Sequence, residues 1–155
     1  MMFVIAVGHK QPDWVNAAFD DYAGRLAADY KITLKEIKAE PRTTGKTAAA
    51  MKLAEAQRIE AALPHDVIRV ALDERGKSLS TEEFSNFIEK LRAQGSDLAF
   101  IIGGPDGLDD DLKRRCAHQI RLSSMTLPHG LVRVMLAEAL YRAWSLANHH
   151  PYHRA

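Results

Sequence analysis

Residues 98–144 read LAFIIGGPDGLDDDLKRRCAHQIRLSSMTLPHGLVRVMLAEALYRAW, and this stretch decides the fold. An apolar run from Leu98 to Ile102 breaks off in Gly103-Gly104-Pro105-Asp106-Gly107. A second short apolar run breaks off in Ser123-Ser124-Met125-Thr126-Leu127, and a long helix is predicted from Pro128. Strand ends followed by tight turns leave backbone groups free for a small ligand.

Working outward, Met2 to Val7 reads as a first strand that closes at Gly8. Trp14, Val15, Ala18, Phe19, Tyr22 and Leu26 then keep helical spacing, with Pro12 well placed at the helix start. Ile32 and Leu34 alternate with Thr33 and Lys35, the pattern of a half-buried strand suited to an edge. Ala39 to Lys46 turns polar, with Pro41 and Gly45 flanking Arg42, Thr43 and Thr44; it is either a basic flap or a plain connection. An Ala-rich helix is predicted from Thr47 to Leu63, ended by Pro64. Val67 to Leu72 is almost continuously apolar, as for a strand covered on both faces, and is expected to stop at Asp73-Glu74-Arg75-Gly76. Ser80 and Glu83 form a capping box ahead of a stripe of Phe84, Phe87, Ile88 and Leu91, and Gly95 ends that helix.

Strands alternating with helices predict one α/β domain over residues 1–155, a sandwich with a mainly parallel sheet. In such sheets ligands gather at the carboxyl ends of the strands. Three ends stand out: Leu72 to Gly76, Gly103 to Gly107, and Leu122 to Leu127.

Composition narrows the class. Hydrophobic residues make up 46% and charged residues 26%, so neither disorder nor a membrane protein is suggested. No apolar run approaches the ~20 residues of a spanning helix. With a single cysteine, Cys116, and a strand in place of a leader at the N-terminus, the chain reads as cytoplasmic. Cys116 itself fits a small buried hydrophobe better than a nucleophile. Charge is uneven: residues 114–155 hold six arginines, five histidines, no lysine and one acid, Glu138, a formal +5 that leaves −4 elsewhere within a net +1. Arginine suits planar contacts to phosphate and stacking on bases, although Arg-rich helix ends are also ordinary solvated surface.

The last helix is apolar around most of its circumference, from Leu131 and Val132 through Val134, Met135, Leu136, Ala139, Leu140, Ala143, Trp144 and Leu146. One sheet covers only one side of a helix, so a homodimer meeting partly through this helix is expected, with Glu138 paired to Arg142 at i,i+4 spacing. The alternative is a core helix buried within one subunit.

The glycine-rich turn at 103–107 is neither a dinucleotide fingerprint nor a phosphate-binding loop, since the spacing and the Gly-Lys-Ser/Thr ending are missing. Joined to the hydroxyls of Ser123, Ser124 and Thr126 and the apolar Met125 and Leu127, it describes a slot for a nucleoside-like cofactor. The tail, Asn148-His149-His150-Pro151-Tyr152-His153-Arg154-Ala155, gathers rings able to stack on a base, imidazoles able to move protons, and an arginine for phosphate. No metal is expected, because Pro151 breaks the helical spacing of His149, His150 and His153 and no thiol or carboxylate is near in sequence.

The whole chain resembles the ribosomal RNA large subunit methyltransferase H family, small SPOUT-class enzymes. The likeness runs through Val7-Gly8, Pro12-Asp13-Trp14, Ile102-Gly103-Gly104-Pro105, Thr126-Leu127-Pro128-His129, Leu140-Tyr141-Arg142-Ala143-Trp144 and Pro151-Tyr152-His153-Arg154. The resemblance implies a trefoil-knotted C-terminal half, an obligate homodimer, S-adenosylmethionine as cofactor, and methylation of N3 of a pseudouridine in 23S rRNA; for so small an enzyme with no separate RNA-binding domain, 23S rRNA within the ribosome is the expected partner. It also implies that Leu72, Gly103, Leu122, Ser123, Ser124, Met125, Thr126 and Leu127 line the cofactor pocket. Gly130, where relatives often carry a bulkier residue, and Asp106, in place of a common Glu, depart from the family pattern. Candidate bases are His129, Glu138, Tyr152 and His153, with Arg133, Arg142 and Arg154 as candidates to hold phosphate or a deprotonated imide. A non-catalytic RNA-binding module of the same fold is the other reading.

Overall fold

The computed structural model describes every residue except Thr44, part of the polar loop singled out above, and Ala155. Five strands and five helices follow in order: β1 (Met2–Val7), α1 (Asp13–Gly24), β2 (Ile32–Ile37), α2 (Ala48–Ala62), β3 (Ile68–Ser78), α3 (Thr81–Arg92), β4 (Leu98–Ile102), α4 (Asp110–Arg114), β5 (His118–Arg121) and α5 (His129–Ala147). A single 3₁₀ turn, Ala28–Tyr30, leads into β2. The strands form one sheet in the order β2-β1-β4-β3-β5, and every pairing is parallel.

Parallel strands need crossovers, and the helices that supply them cover both faces. Met2, Val4 and Ala6 of β1 face the layer made by α1, α3 and α5, where Val15, Phe19, Phe84, Ile88, Leu136 and Leu140 are buried. Phe3, Ile5 and Val7 alternate to the other face, against Ala56 and Ile59 of α2 and Leu112 of α4. The central strands β1 and β4 are buried at every position, whereas β2, at the edge, is buried only at its two ends.

Local signals place the helix starts. The Ser80 hydroxyl accepts from the Glu83 N–H at 3.1 Å while the Glu83 carboxylate accepts from the Ser80 N–H at 2.8 Å, so both halves of the capping box form. Thr47 caps α2 through the Ala50 N–H, and Gly95 stops the α3 segment with φ +80°.

Two expectations need amendment. β3 does not stop at Leu72: Asp73 to Gly76 bulges, and the strand resumes at Lys77, with Leu72 and Lys77 both opposite Ile120 of β5. Gly76 makes this possible, since a Cβ there would lie 2.6 Å from the backbone carbon of Ile120. The argument from α5 also changes. The helix lies between α1 and α3 on the sheet, so one subunit already covers three of its sides.

At Gly130, one of the two departures, a Cβ would stand 2.5 Å from Gln11 Oε1, so Gln11 would have to move aside for a larger residue. Gly76→Ala drives a methyl into backbone rather than into a movable side chain. It should destabilise the protein by about 3 kcal/mol, the upper end for overpacking, in urea unfolding monitored by circular dichroism.

Candidate functional site

The carboxyl ends of β3, β4 and β5 close around one cavity of about 470 Å³. Leu72, Gly103, Leu122, Ser123, Met125, Thr126 and Leu127 all line it, and His129, at the first turn of α5, lines it too. Ser124 is the exception among the predicted residues: it is exposed and contributes nothing to the wall.

Each wall has a local cause. β4 ends at Ile102, and the chain folds back so tightly that a Cβ on Gly103 would sit 2.7 Å from the carbonyl carbon of Gly107. Gly107 adopts φ +83°, which glycine reaches without strain, and its N–H donates to the Gly104 carbonyl at 3.0 Å to close the turn. After β5, the Ser123 hydroxyl accepts from the Met125 N–H at 2.9 Å. That turn holds the loop open, so Met125 is 78% exposed beside the cavity. Apolar leucines, two hydroxyls and bare backbone within a space of this size suit a small molecule with one flat apolar part and a polar remainder.

Charged groups that local pattern did not flag stand around the same cavity: Lys52 of α2 and Asp110 and Lys113 of α4. The Lys113 Nζ sits 3.6 Å from Asp73 and 3.4 Å from Asp110, joining the bulge of β3 to the start of α4. A cation on a helix carries no local sign that tells a cavity wall from solvent, so only the packing of α2 and α4 brings these residues in.

A family model described as "Predicted SPOUT methyltransferase" matches residues 1–153. The chain belongs to the SPOUT methyltransferase family. The ribosomal RNA large subunit methyltransferase H of Bordetella avium is 60% identical over 154 residues, 99% of each chain. That of Burkholderia cenocepacia is 52% identical over 154 residues, again 99% of each. The crystal structure of a probable methyltransferase from Bordetella pertussis Tohama I shares the fold, with TM-score 0.59 at 15% identity over 92% of this chain and 93% of that one.

In this methyltransferase the candidate catalytic residues fall into two groups. His129 stands at the cavity. Arg142, Tyr152, His153 and Arg154 lie away from it, because the tail folds back on α5 of its own chain: Tyr152 packs on Tyr141 with ring centroids 4.4 Å apart. Arg142 and Glu138 instead border a smaller neighbouring cavity of about 140 Å³, which shares Arg121 and Leu122 with the first.

Hydrogen bonds assign states to these groups. Glu138 accepts from Arg142 Nε at 3.0 Å, as its spacing predicts, and from the Tyr152 hydroxyl at 2.9 Å. Burial first, and the bond to Glu138 second, push the Tyr152 phenol up to about 12, so it is a donor at neutral pH and not a base. The Ser145 hydroxyl donates to the His150 carbonyl at 2.8 Å and lies 2.9 Å from His153 Nδ1. Its one proton being used, the imidazole must donate from Nδ1, so that in the neutral ring Nε2 is the nitrogen carrying the lone pair.

Arg133 corrects an expectation. It is 1% exposed, pairs with Glu36 at 2.7 Å and donates to the Gly8 carbonyl at 3.2 Å, so it braces α5 against β2 and the end of β1 and cannot meet phosphate. Cys116 is buried and its thiol donates to the Leu112 carbonyl at 3.3 Å, with burial raising its pKa. Among the described residues no cluster of His, Cys, Asp and Glu could hold a metal ion, and no helix is long and apolar enough to cross a membrane.

Burial and then the charge of Arg133 lower the His129 pKa below its ordinary value. His129 is therefore neutral at physiological pH. A folded-state pKa below the unfolded one means the unfolded chain takes up the proton first, so stability contributed by His129 is lost as pH falls through about 6.5. An imidazole titration by NMR should give His129 a midpoint below 6.5.

Proposed function

We propose that this chain is an S-adenosylmethionine-dependent methyltransferase of 23S ribosomal RNA that acts on N3 of a pseudouridine in the assembled ribosome. It would work in the cytoplasm as a homodimer, with residues 1–155 as one catalytic domain and a trefoil-knotted C-terminal half. The observation that carries the reading is the convergence of Leu72, Gly103 and the 122–127 loop on one cavity in a SPOUT methyltransferase. The names of relatives 60% and 52% identical over nearly the full length support the ribosomal RNA substrate.

The residues present suit an adenosine-bearing methyl donor. Leu72, Leu122, Met125 and Leu127 give apolar surface for a base. The hydroxyls of Ser123 and Thr126 and the bare backbone at Gly103 give polar partners where a side chain on Gly103 would not fit. The volume lies within the ~300–1,000 Å³ usual for small-molecule sites. The bound sulfonium supplies an already activated methyl group. What remains for the protein is to hold the acceptor nitrogen in line and remove its imide proton; alignment alone can contribute several kcal/mol, up to ~7–11.

Of four candidate bases, Tyr152 stays protonated, and Glu138 already accepts from Arg142 and Tyr152. The two imidazoles remain: His129 at the cavity and His153 on the tail, with its lone pair on Nε2. Arg142 and Arg154 are left to meet phosphate or the developing negative charge.

Two facts favour a site shared between subunits. Among the described residues of the tail, 148–154, none lines either cavity of its own chain. Leu131, Met135 and Leu146 stay half-buried on one stripe of α5, a surface that a second copy would cover. Truncation after Asn148 should abolish methyl transfer to ribosomes while leaving S-adenosylmethionine binding measurable by calorimetry; full activity in the truncated protein overturns the tail's role. Incubation with labelled S-adenosylmethionine and either free rRNA or intact ribosomes, followed by mapping of the modified nucleotide, tests the substrate. Label confined to another nucleotide, or absent from both, overturns the assignment.

A further inference from the structure

Glu55 stands on the buried side of α2, between Met51, Ala56 and Ile59, and is 2% exposed. A carboxylate in such a place costs desolvation that an apolar residue would avoid. One of its oxygens, Oε2, accepts from the Glu40 N–H at 2.9 Å and from Arg42 Nη1 at 2.6 Å. The other, Oε1, has no partner among the described residues. Both oxygens face the Cβ-less side of Gly104, where a Cβ would stand in ordinary contact with them at 3.4 and 3.5 Å. Gly104 lines the large cavity.

Arg42 carries the contact onward. Its Nη1 also donates to the Glu40 carbonyl at 2.6 Å, and its Nη2 pairs with Asp106 at 3.1 Å, at the tip of the Gly103–Gly107 turn. Glu40 is itself held by Arg58 and Lys46, each at 2.6 Å. The guanidinium therefore ties three elements together: the polar loop after β2, the buried face of α2 and the turn after β4. Among the described residues none of segment 38–43 lines the cavity, and Arg42 joins this loop to the cavity wall at Asp106. Hydrogen bonding to Glu55 is also the main influence raising the Arg42 pKa, so the guanidinium stays charged throughout the physiological range.

We propose that Glu55 and Arg42 are positioning residues for the methyl donor, Glu55 fixing the guanidinium of Arg42 and Arg42 holding the Gly103–Gly107 turn through Asp106. The pair couples the polar loop to cofactor binding, so that the two segments order together. This rests on the reading of the cavity as the donor site.

The test uses the full-length protein and S-adenosylhomocysteine as probe, with calorimetry for affinity and hydrogen exchange for segments 38–43 and 103–107. In the wild type, binding should protect both segments, although no residue of the first lines the cavity; coupling of this kind is reciprocal. Arg42→Lys, Asp106→Asn and Glu55→Gln should each weaken binding about tenfold, equivalent to about 1.4 kcal/mol, and remove the protection of 38–43 while that of 103–107 persists at saturating probe. A merely structural role would lower the melting temperature without separating the two segments. Should Glu55→Gln fail to fold, Arg42→Lys and Asp106→Asn, both partly exposed, carry the test. Wild-type affinity in those two variants overturns the proposal, as does binding that protects 103–107 but never 38–43. If the wild type binds no S-adenosylhomocysteine, the assignment of the cavity falls first and the coupling with it.

Discussion

The structure depends on two places where backbone meets backbone with no room for a side chain. At Gly76 the β3 bulge returns against Ile120 of β5, and at Gly103 the chain after β4 folds onto Gly107. Each approach needs a residue without Cβ, and each fixes one wall of the cavity. If either contact opened, β5 and the loop after it would no longer lie beside β4, and Leu72, Gly103 and Leu127 would lose their common neighbourhood.

Buried charge holds the surrounding helices in place around these walls. Arg133 is almost fully enclosed, yet its partners are specific: the Glu36 carboxylate on β2 and the Gly8 carbonyl after β1. Such a pair contributes little net stability over an apolar substitute, but removal of one partner strands a charge, so it fixes geometry more than it adds stability. Arg142 and Glu138 act in a wetter setting and recruit the Tyr152 hydroxyl, which lays the tail along α5. The chemistry of the tail is thus set by where it is anchored: Ser145 orients the His153 imidazole, and Glu138 holds Tyr152 as a donor.

The division of labour in the site follows. Apolar and backbone groups at three strand ends form the cavity, while Lys52, Asp110 and Lys113 reach it from α2 and α4. Those latter elements lie on the opposite face of the sheet from α5. Residues from both layers thus meet at the cavity, at the carboxyl edge where parallel α/β sheets place their ligands.

Features governed by near neighbours were legible in the sequence: the capping box of Ser80 and Glu83, the start of α1 after Pro12, the edge character of β2, the Glu138–Arg142 spacing, and the glycine turn after Ile102. Periodicity and turn chemistry act over a few residues, so they can be read there. The run past Leu72 misled because charged residues and a glycine mark a strand's end and a bulge alike, and only pairing with β5 distinguishes them. The strand order, the burial of Arg133, the placing of Lys52 and Lys113 at the cavity, and the enclosure of Glu55 beside Gly104 were decided by the tertiary structure alone. Each rests on contacts between residues far apart in the chain, and no local pattern records which distant backbone a side chain will meet.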